Sequence, residues 1–328
     1  MALTIGPLVL DNPVLLAPMS GVTDLPFRRI ARRLGAGLAY SEMIASAEMV
    51  RETRGSLRRA TSSAEAGPMA VQLAGTEPEV MAEAAKLVEG MGAALIDINF
   101  GCPAKKVVKR AAGSALMREE GLAAAIVGAV VRAVACPVTV KMRTGWDDDV
   151  RNAPKLAKMS EDEGARLITV HGRTRCQFYS GRADWHFIAE VKAAVGIPVV
   201  ANGDIASAAD AADCLAVSGA DGVMVGRAAQ GRPWLPGAIA RALAGNGEDA
   251  EPDLASRWAL AREHLDAMLV HYGTDRGLRI ARKHLGWYAQ GLPGAATFRN
   301  AVNNATEPTV VIGEIRRFFA PAGERMAA

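Results

Sequence analysis

The sequence predicts an α/β fold, a (β/α)8 TIM barrel with a C-terminal all-helical domain, on three observations. Eight short apolar or β-branched runs recur along the chain, each followed by a polar or Gly-rich turn and a helical pattern. Several runs are apolar almost throughout, as expected of parallel strands buried on both faces rather than half-exposed antiparallel ones. After Ala244 the alternation stops, and helical patterns succeed one another with no strand between them. Eight βα units within about 230 residues favour a closed barrel over an open sheet.

The runs are Val14–Met19, Leu38–Ser41, Met69–Leu73, Leu95–Asn99, Val138–Met142, Leu167–His171, Val199–Ala201 and Gly222–Val225. Between them, Thr76-Glu77-Pro78-Glu79 has the pattern of a capping box with Pro in the first turn. It leads into Val80, Met81, Ala84, Leu87 and Val88 at helical spacing and stops at Gly90. Gly121 to Ala135 and Ser207 to Val217 read as helices in the same way. A polar, Gly-bearing linker is expected over Gly245 to Pro252, and helices over 254–271, 276–290 and 308–319. The expected division is a barrel over 1–245 and a helical domain over 253–328.

A doubly wound dinucleotide fold fits less well. The first run is followed by Ser20-Gly21-Val22-Thr23 rather than G-x-G-x-x-G, and Gly35-Ala36-Gly37 lacks the third Gly. Gly226 to Gly231 has the Gly spacing of a Walker A loop, but Arg232-Pro233 stands where Lys-Ser/Thr belongs. With 50% hydrophobic and 22% charged residues, long disorder is not expected. The longest apolar stretch, Leu122 to Val131, is too short to span a bilayer, and Met1 to Pro13 does not read as a leader. Cys102, Cys136, Cys176 and Cys214 are scattered without metal spacing, so a cytoplasmic protein with reduced, mostly buried thiols, no metal and no membrane contact is expected. The net charge of +3 is too small to announce a nucleic-acid partner, so the distribution of charge matters more.

Barrel active sites lie at the C-terminal ends of the strands. There the sequence places Pro18, Met19 and Ser20, then Ser41-Glu42, Gln72, Asn99 with Cys102, Lys141 with Arg143, His171, Asn202-Gly203-Asp204 and Gly226-Arg227. Any one of these could simply solvate a loop; so many together point to a site. The last two groups suit a phosphate, since small residues admit a close backbone approach and Arg227 adds a charge-assisted contact. Two ordinary Gly turns are the alternative. Lys141 ends an apolar run and needs an anion or polar ligand; it fits a Schiff-base lysine or a cation stabilising charge on a cofactor ring equally well. Cys102, between Gly101 and Pro103, lies beyond a strand end and could act as a general acid, whereas a lone Cys is more often a small buried hydrophobe. The latter reading is preferred for Cys136, Cys176 and Cys214. Lys105, Lys106, Lys109 and Arg110 follow Cys102, and the tail adds Arg276, Arg279, Arg282, Lys283, Arg299, Arg316 and Arg317. Solvated helix faces would explain both groups; two basic zones flanking one mouth would also suit a polyanion.

Together these residues resemble the tRNA-dihydrouridine synthase family, in its bacterial B-type branch. The resemblance rests on Ala17-Pro18-Met19-Ser20-Gly21-Val22-Thr23-Asp24, Asp97-Ile98-Asn99-Phe100-Gly101-Cys102-Pro103, Val140-Lys141-Met142-Arg143 and Val170-His171-Gly172-Arg173-Thr174-Arg175. Ala201-Asn202-Gly203-Asp204-Ile205, Gly226 to Trp234 and, in the tail, Arg279 to His284 complete it. The resemblance implies FMN across the barrel mouth, touched by Pro18, Met19, Ser20, Gln72, Lys141 and His171, with its phosphate near Asn202, Gly203, Asp204, Gly226 and Arg227. NADPH would be the reductant, and Cys102 would protonate C5 of a D-loop uridine after hydride reaches C6 from flavin N5. The base must leave its stack first, so binding energy is needed elsewhere on the tRNA. Asn99, Arg143, Arg173, Arg175, Lys105, Lys106, Arg279, Arg282 and Lys283 are the expected substrate and tRNA contacts, the last three contacting phosphates or bracing the domain interface, and no obligate protein partner is implied. The alternatives are a barrel flavoprotein reducing a small free pyrimidine-like substrate, a catalytically silent RNA-binding regulator and, more weakly, a Schiff-base lyase.

Overall fold

A computed structural model describes residues 2–60, 67–247 and 250–319. An antiparallel hairpin, β1 (Leu3–Ile5) and β2 (Leu8–Leu10), opens the chain. Its inward residues Leu3, Ile5 and Leu10 pack with Leu15, Leu38, Leu95, Leu167 and Met224 and plug the N-terminal end of the barrel.

The parallel strands are β3 (Val14–Leu16), β4 (Leu38–Ala39), β5 (Ile44–Ala45), β6 (Ala70–Ala74), β7 (Leu95–Phe100), β8 (Val138–Arg143), β9 (Ile168–His171), β10 (Val199–Asn202) and β11 (Gly222–Val225). They pair in the order β4-β3-β11-β10-β9-β8-β7-β6-β5. A parallel bridge from Tyr40 to Ala70, with Ser41 N–H donating to Ala70 O at 2.8 Å, brings the β4 edge to β6 and closes the cylinder. All eight anticipated runs become strands. The second is interrupted: beyond Tyr40 the Ser41 hydroxyl takes over, accepting from Gln72 N at 3.0 Å, and β5 resumes the pairing three residues later.

Outside the strands lie α1 (Leu25–Arg33), α2 (Ser46–Val50), α3 (Arg54–Ala60), α4 (Pro78–Gly90), α5 (Lys105–Val108), α6 (Glu120–Ala133), α7 (Ala153–Asp162), α8 (Trp185–Ala194), α9 (Ala208–Ser218) and α10 (Leu235–Leu243). α1, α8 and α9 begin on side-chain caps from Asp24, Asp184 and Ser207. The capping box expected at α4 does not form. Glu77, not Thr76, holds the cap position, and no side chain caps the helix; Pro78 alone sets its start.

Four helices follow: α11 (Leu254–Tyr272), α12 (Thr274–Tyr288), α13 (Ala295–Asn304) and α14 (Pro308–Phe319). The sequence reading contained three of them. It missed α13, whose only buried side chains are Phe298 and Val302. The linker is clamped at its end by Glu251, which accepts from Arg232 and Arg257, each at 2.6 Å. Its residues 248 and 249, like 320–328 of the expected helical domain, lie outside the described residues.

The helices share an apolar seam with the barrel, where Ile30 and Trp234 join Leu265, Met268, Leu285 and Tyr288. His264 and His284 are buried there with ring centroids 4.7 Å apart, both close to Phe27 of α1. Burial holds His264 down to about 3, and burial together with the neighbouring His264 and Lys283 holds His284 well below the ordinary value. Both rings are therefore neutral at pH 7. Two further contacts cross the seam. Tyr272 OH donates to the Asp24 carboxyl at 2.9 Å, and Gly231, at φ 71°, lies so close to Trp287 that a Cβ would meet its carbonyl at 2.4 Å.

Candidate active site

A cavity of about 640 Å³ opens at the C-terminal ends of the strands, within the ~300–1,000 Å³ range of pre-formed ligand sites. It brings together Pro18, Met19 and Ser20 after β3, Gln72 on β6, Asn99 on β7, Cys102, Lys141 and Arg143 on β8, and His171 on β9. Asn202 at the end of β10, Gly203 and Asp204 after it, and Gly226 and Arg227 after β11 also line it.

Lys141 Nζ donates to Asn202 Oδ1 at 3.0 Å, and Asn202 Nδ2 donates to Met224 O at 2.7 Å. Both ends of the Asn202 amide are thus engaged, and its first task is to aim Lys141. Beneath them, Asp97 is wholly buried. Burial pushes its carboxyl up and the Lys141 ammonium down, and the attraction between the two opposes both shifts. His171 is held well below its ordinary pKa by burial and by the cations of Lys141, Arg143, Arg173 and Arg227. It therefore faces the cavity as a neutral ring, a hydrogen-bonding group rather than a charge.

Cys102 is half-buried on the rim. Its backbone N–H donates to Asn99 Oδ1 at 2.8 Å, and Ser114 N and Oγ both donate to its carbonyl, at 3.1 and 2.9 Å. A loop tied at both faces of one residue presents the thiol to the cavity. Arg143 lines the same wall, but its guanidinium donates to Gly101 O, Thr174 O and Phe178 O at 2.8–2.9 Å. It straps the loop after β7 to the loop after β9.

Two glycines of the expected phosphate corner differ. A Cβ on Gly203, at φ 116°, would strike the His171 ring and Ala183 at 2.8 Å, so glycine is needed there by the protein itself. At Gly226 a Cβ would meet nothing nearer than Ala17 at 3.9 Å, leaving space on the cavity side. Burial works against the Asp204 carboxylate, but the Arg173 hydrogen bond at 2.6 Å and the Ala183 N–H hold it below its ordinary value. Arg227 lies 3.8 Å from it and half exposed, free to turn to an incoming anion.

Several expected contacts need correction. Arg173 is not at the surface: it is 2% exposed and spends its donors on Asp204, Ser180 O and Gly181 O. Arg175 lies outside the cavity, over the rings of Trp146 and Phe178. Arg282 bonds Ala305 O at 2.7 Å and joins α12 to the end of α13. Lys105 and Lys106 stay exposed on α5, with Lys106 lining a neighbouring recess. Arg279 is exposed on α12. Lys283 lines a second cavity of about 280 Å³ between α12 and the first barrel loop, with Arg58, Arg59 and Arg276. Cys176, expected to be buried, is exposed. In the other direction, sequence reasoning missed Tyr179. It lines the main cavity, stacked by the Arg143 and Arg227 guanidinium groups at 5.6 and 4.2 Å. It sits eight residues beyond a strand end, and the carbonyl bonds from Arg143 and Arg173 on either side of it, with a ring contact to His171 at 6.3 Å, carry it back.

Among the described residues no group of three or more His, Cys, Asp or Glu side chains could hold a metal ion. No helix among them is long and apolar enough to cross a membrane.

Residues 15–320 match the family model described as Dihydrouridine synthase (Dus). The chain belongs to the dihydrouridine synthase family. A probable tRNA-dihydrouridine synthase of Rickettsia conorii is 55% identical over 321 residues, covering 98% of this chain and 97% of that relative. A tRNA-dihydrouridine synthase B of Xanthomonas campestris is 52% identical over 315 residues, covering 96% and 95%. Among solved structures, morphinone reductase superposes with a TM-score of 0.53 at 16% identity, covering 78% of this chain and 93% of that one. Histamine dehydrogenase from a Rhizobium species reaches 0.58 at 14%, covering 81% and 50%. These two likenesses carry the barrel fold. By its family the chain is an oxidoreductase, a tRNA-dihydrouridine synthase.

Proposed function

We propose that this dihydrouridine synthase reduces D-loop uridine in tRNA to 5,6-dihydrouridine, with FMN in the main cavity and NADPH as the reductant. The observation that carries the reading is Cys102, held on the rim of a cavity whose floor presents Lys141, Gln72 and a neutral His171. Those groups fit FMN. A cation and two uncharged hydrogen-bonding side chains would hold the polar edge of its ring, and the open space at Gly226 with a half-exposed Arg227 would suit its phosphate. When bound, FMN would supply the hydride, taken from NADPH and passed from N5 to C6 of the uracil.

The chain's own residues do the rest. Lys141, aimed by Asn202, stabilises negative charge at the polar edge of the ring. Asn99, with its oxygen committed to the Cys102 loop and one N–H to Gln72 Oε1, keeps its second N–H for the cavity wall. Tyr179 offers an apolar face for a base turned out of its stack. Cys102 gives its proton to C5 as charge develops there after hydride addition.

The uracil must be extruded, so the remaining tRNA has to be gripped elsewhere. We assign that to the helical domain, 253–328, acting with the barrel, 1–245. Ser20 lines both the main cavity and the second one, so the basic wall of Arg58, Arg59, Arg276 and Lys283 adjoins the reaction mouth. Lys105, Lys106 and Arg279 extend it as exposed cations. A reducing cytoplasm suits the four free thiols. The test is direct: FMN-loaded protein with NADPH and unmodified tRNA should yield dihydrouridine, detected by mass spectrometry of tRNA digests. No product, or equal turnover of free uridine, would overturn the reading.

A further inference from the structure

Asp97 has no part in the reaction described above, yet it is wholly buried directly beneath it. It lies on β7 two residues before Asn99, so both side chains point inward. Its Oδ2 accepts from Gln72 Nε2 at 2.6 Å and its Oδ1 from Thr139 Oγ1 at 2.7 Å. Gln72 Oε1 accepts from Asn99 Nδ2 at 2.8 Å, and Asn99 Oδ1 accepts from the backbone N–H groups of Gly101 and Cys102 at 3.0 and 2.8 Å.

The two ends of this series have no freedom. Backbone N–H groups only donate, and the Asp97 carboxylate, whose ionised form is favoured by the Lys141 ammonium and by the two donors Gln72 and Thr139, only accepts. Two amides strung between a fixed donor and a fixed acceptor have one orientation each, whichever atom of each amide is taken as nitrogen. Asn99 must turn its oxygen to the Cys102 loop and its NH2 to Gln72; Gln72 must then turn its NH2 to Asp97. Were the series reversed, Asn99 would face two N–H groups with a third donor and the loop would lose its anchor.

We propose that Asp97 is a positioning residue: its carboxylate fixes the polarity of the Gln72 and Asn99 amides and through them holds the backbone that presents Cys102 to the cavity. The inference rests on Cys102 being the acid of the proposed reaction. It assigns to Asp97 no contact with substrate or cofactor.

The test moves the carboxylate one place along the series. Asp97→Asn removes the fixed acceptor and allows either polarity; Gln72→Glu alone sets two carboxyl groups face to face. In the double variant the amide introduced at position 97 and the Asn99 amide both donate to the carboxylate introduced at position 72, so Asn99 again turns its oxygen to Cys102. Two readouts serve: the rate of Cys102 alkylation by iodoacetamide without tRNA, followed on the Cys102 peptide by mass spectrometry, and kcat for dihydrouridine in tRNA. Each single variant should speed alkylation and lower kcat by about tenfold, the loss of one charge-assisted hydrogen bond. The double variant should return alkylation to within about threefold of the parent, a non-additivity that independent structural losses do not give. Thr139→Val, which leaves the carboxylate accepting from Gln72, should stay within about threefold in both.

Additive losses in the double variant, an Asp97→Asn protein within about twofold of the parent, or a Thr139→Val protein as impaired as Asp97→Asn would each overturn the proposal. If the single variants do not fold, a folded double variant is the same restoring result, and failure of all three counts against it. If the parent makes no dihydrouridine while the alkylation pattern holds, the reading of function falls and the role of Asp97 stands.

Discussion

Acidification should loosen the seam between the barrel and the tail helices, and the size of the effect follows from His264 and His284. In the unfolded chain a histidine takes up a proton near pH 6.5. In the folded protein His264 resists until about pH 3 and His284 is also held well below its ordinary value, because both rings are buried against Phe27 and each other, with Tyr288 beside His264 and Trp287 beside His284. The unfolded state therefore binds more protons than the folded state below pH 6.5. The stability they contribute is complete above that value and is lost as pH falls towards the folded pKa values. His264 costs about 1.4 kcal/mol per pH unit in that window, hence about 2 kcal/mol at pH 5, and His284 adds to the loss in the same direction. Urea unfolding followed by tryptophan fluorescence reads it well, since Trp287 lies against His284 and Trp234 against Tyr288 in the same seam. Between pH 7.5 and pH 5 the parent should lose about 2 kcal/mol or more from these groups, and His264→Phe should remove about 2 kcal/mol of that dependence. An unaltered pH slope in His264→Phe would refute the assignment of neutral buried rings.

Cys102→Ala should retain FMN and NADPH oxidation while dihydrouridine formation falls by about 10²–10⁴-fold, the range for losing a general acid; stopped-flow reduction of the flavin and digestion of the tRNA separate the two. Replacing Arg276, Arg279 and Lys283 by Ala should weaken tRNA binding and flatten its dependence on salt while FMN content is unchanged, as measured by filter binding across a salt series. Arg282→Ala should instead lower the thermal midpoint, because its donor holds the end of α13. Gly231→Ala should destabilise the fold by about 2 kcal/mol or more in thermal unfolding, since its positive φ and the Trp287 carbonyl leave no room for a methyl group.

The strands were legible because buried parallel strands are nearly continuous apolar runs, and the cavity was legible because a barrel places chemistry where those runs end. Lys141, Asn202 and Cys102 were found by that rule alone. Tyr179 was not, because its position depends on guanidinium-to-carbonyl bonds that no spacing encodes. Arg173, and Arg282 as a tRNA contact, were hard to read for a related reason. A cation in a motif or a basic run looks the same whether it faces solvent or is spent on carboxylates and carbonyls. The opening hairpin carries a Gly6-Pro7 turn signal between Leu3-Thr4-Ile5 and Leu8-Val9-Leu10, each too short to stand out among longer runs. Helix α13 has too few apolar residues for its period to show.

The strap formed by Arg143 receives its support from main-chain oxygens, at Gly101, Thr174 and Phe178. Every residue type carries such an oxygen. The two loops it joins can therefore change their side chains, and with them the shape offered to a nucleotide, without slackening the tether that keeps acid and aromatic face in step. Variation in preference can accumulate on the rim while the distance across it is kept by one guanidinium.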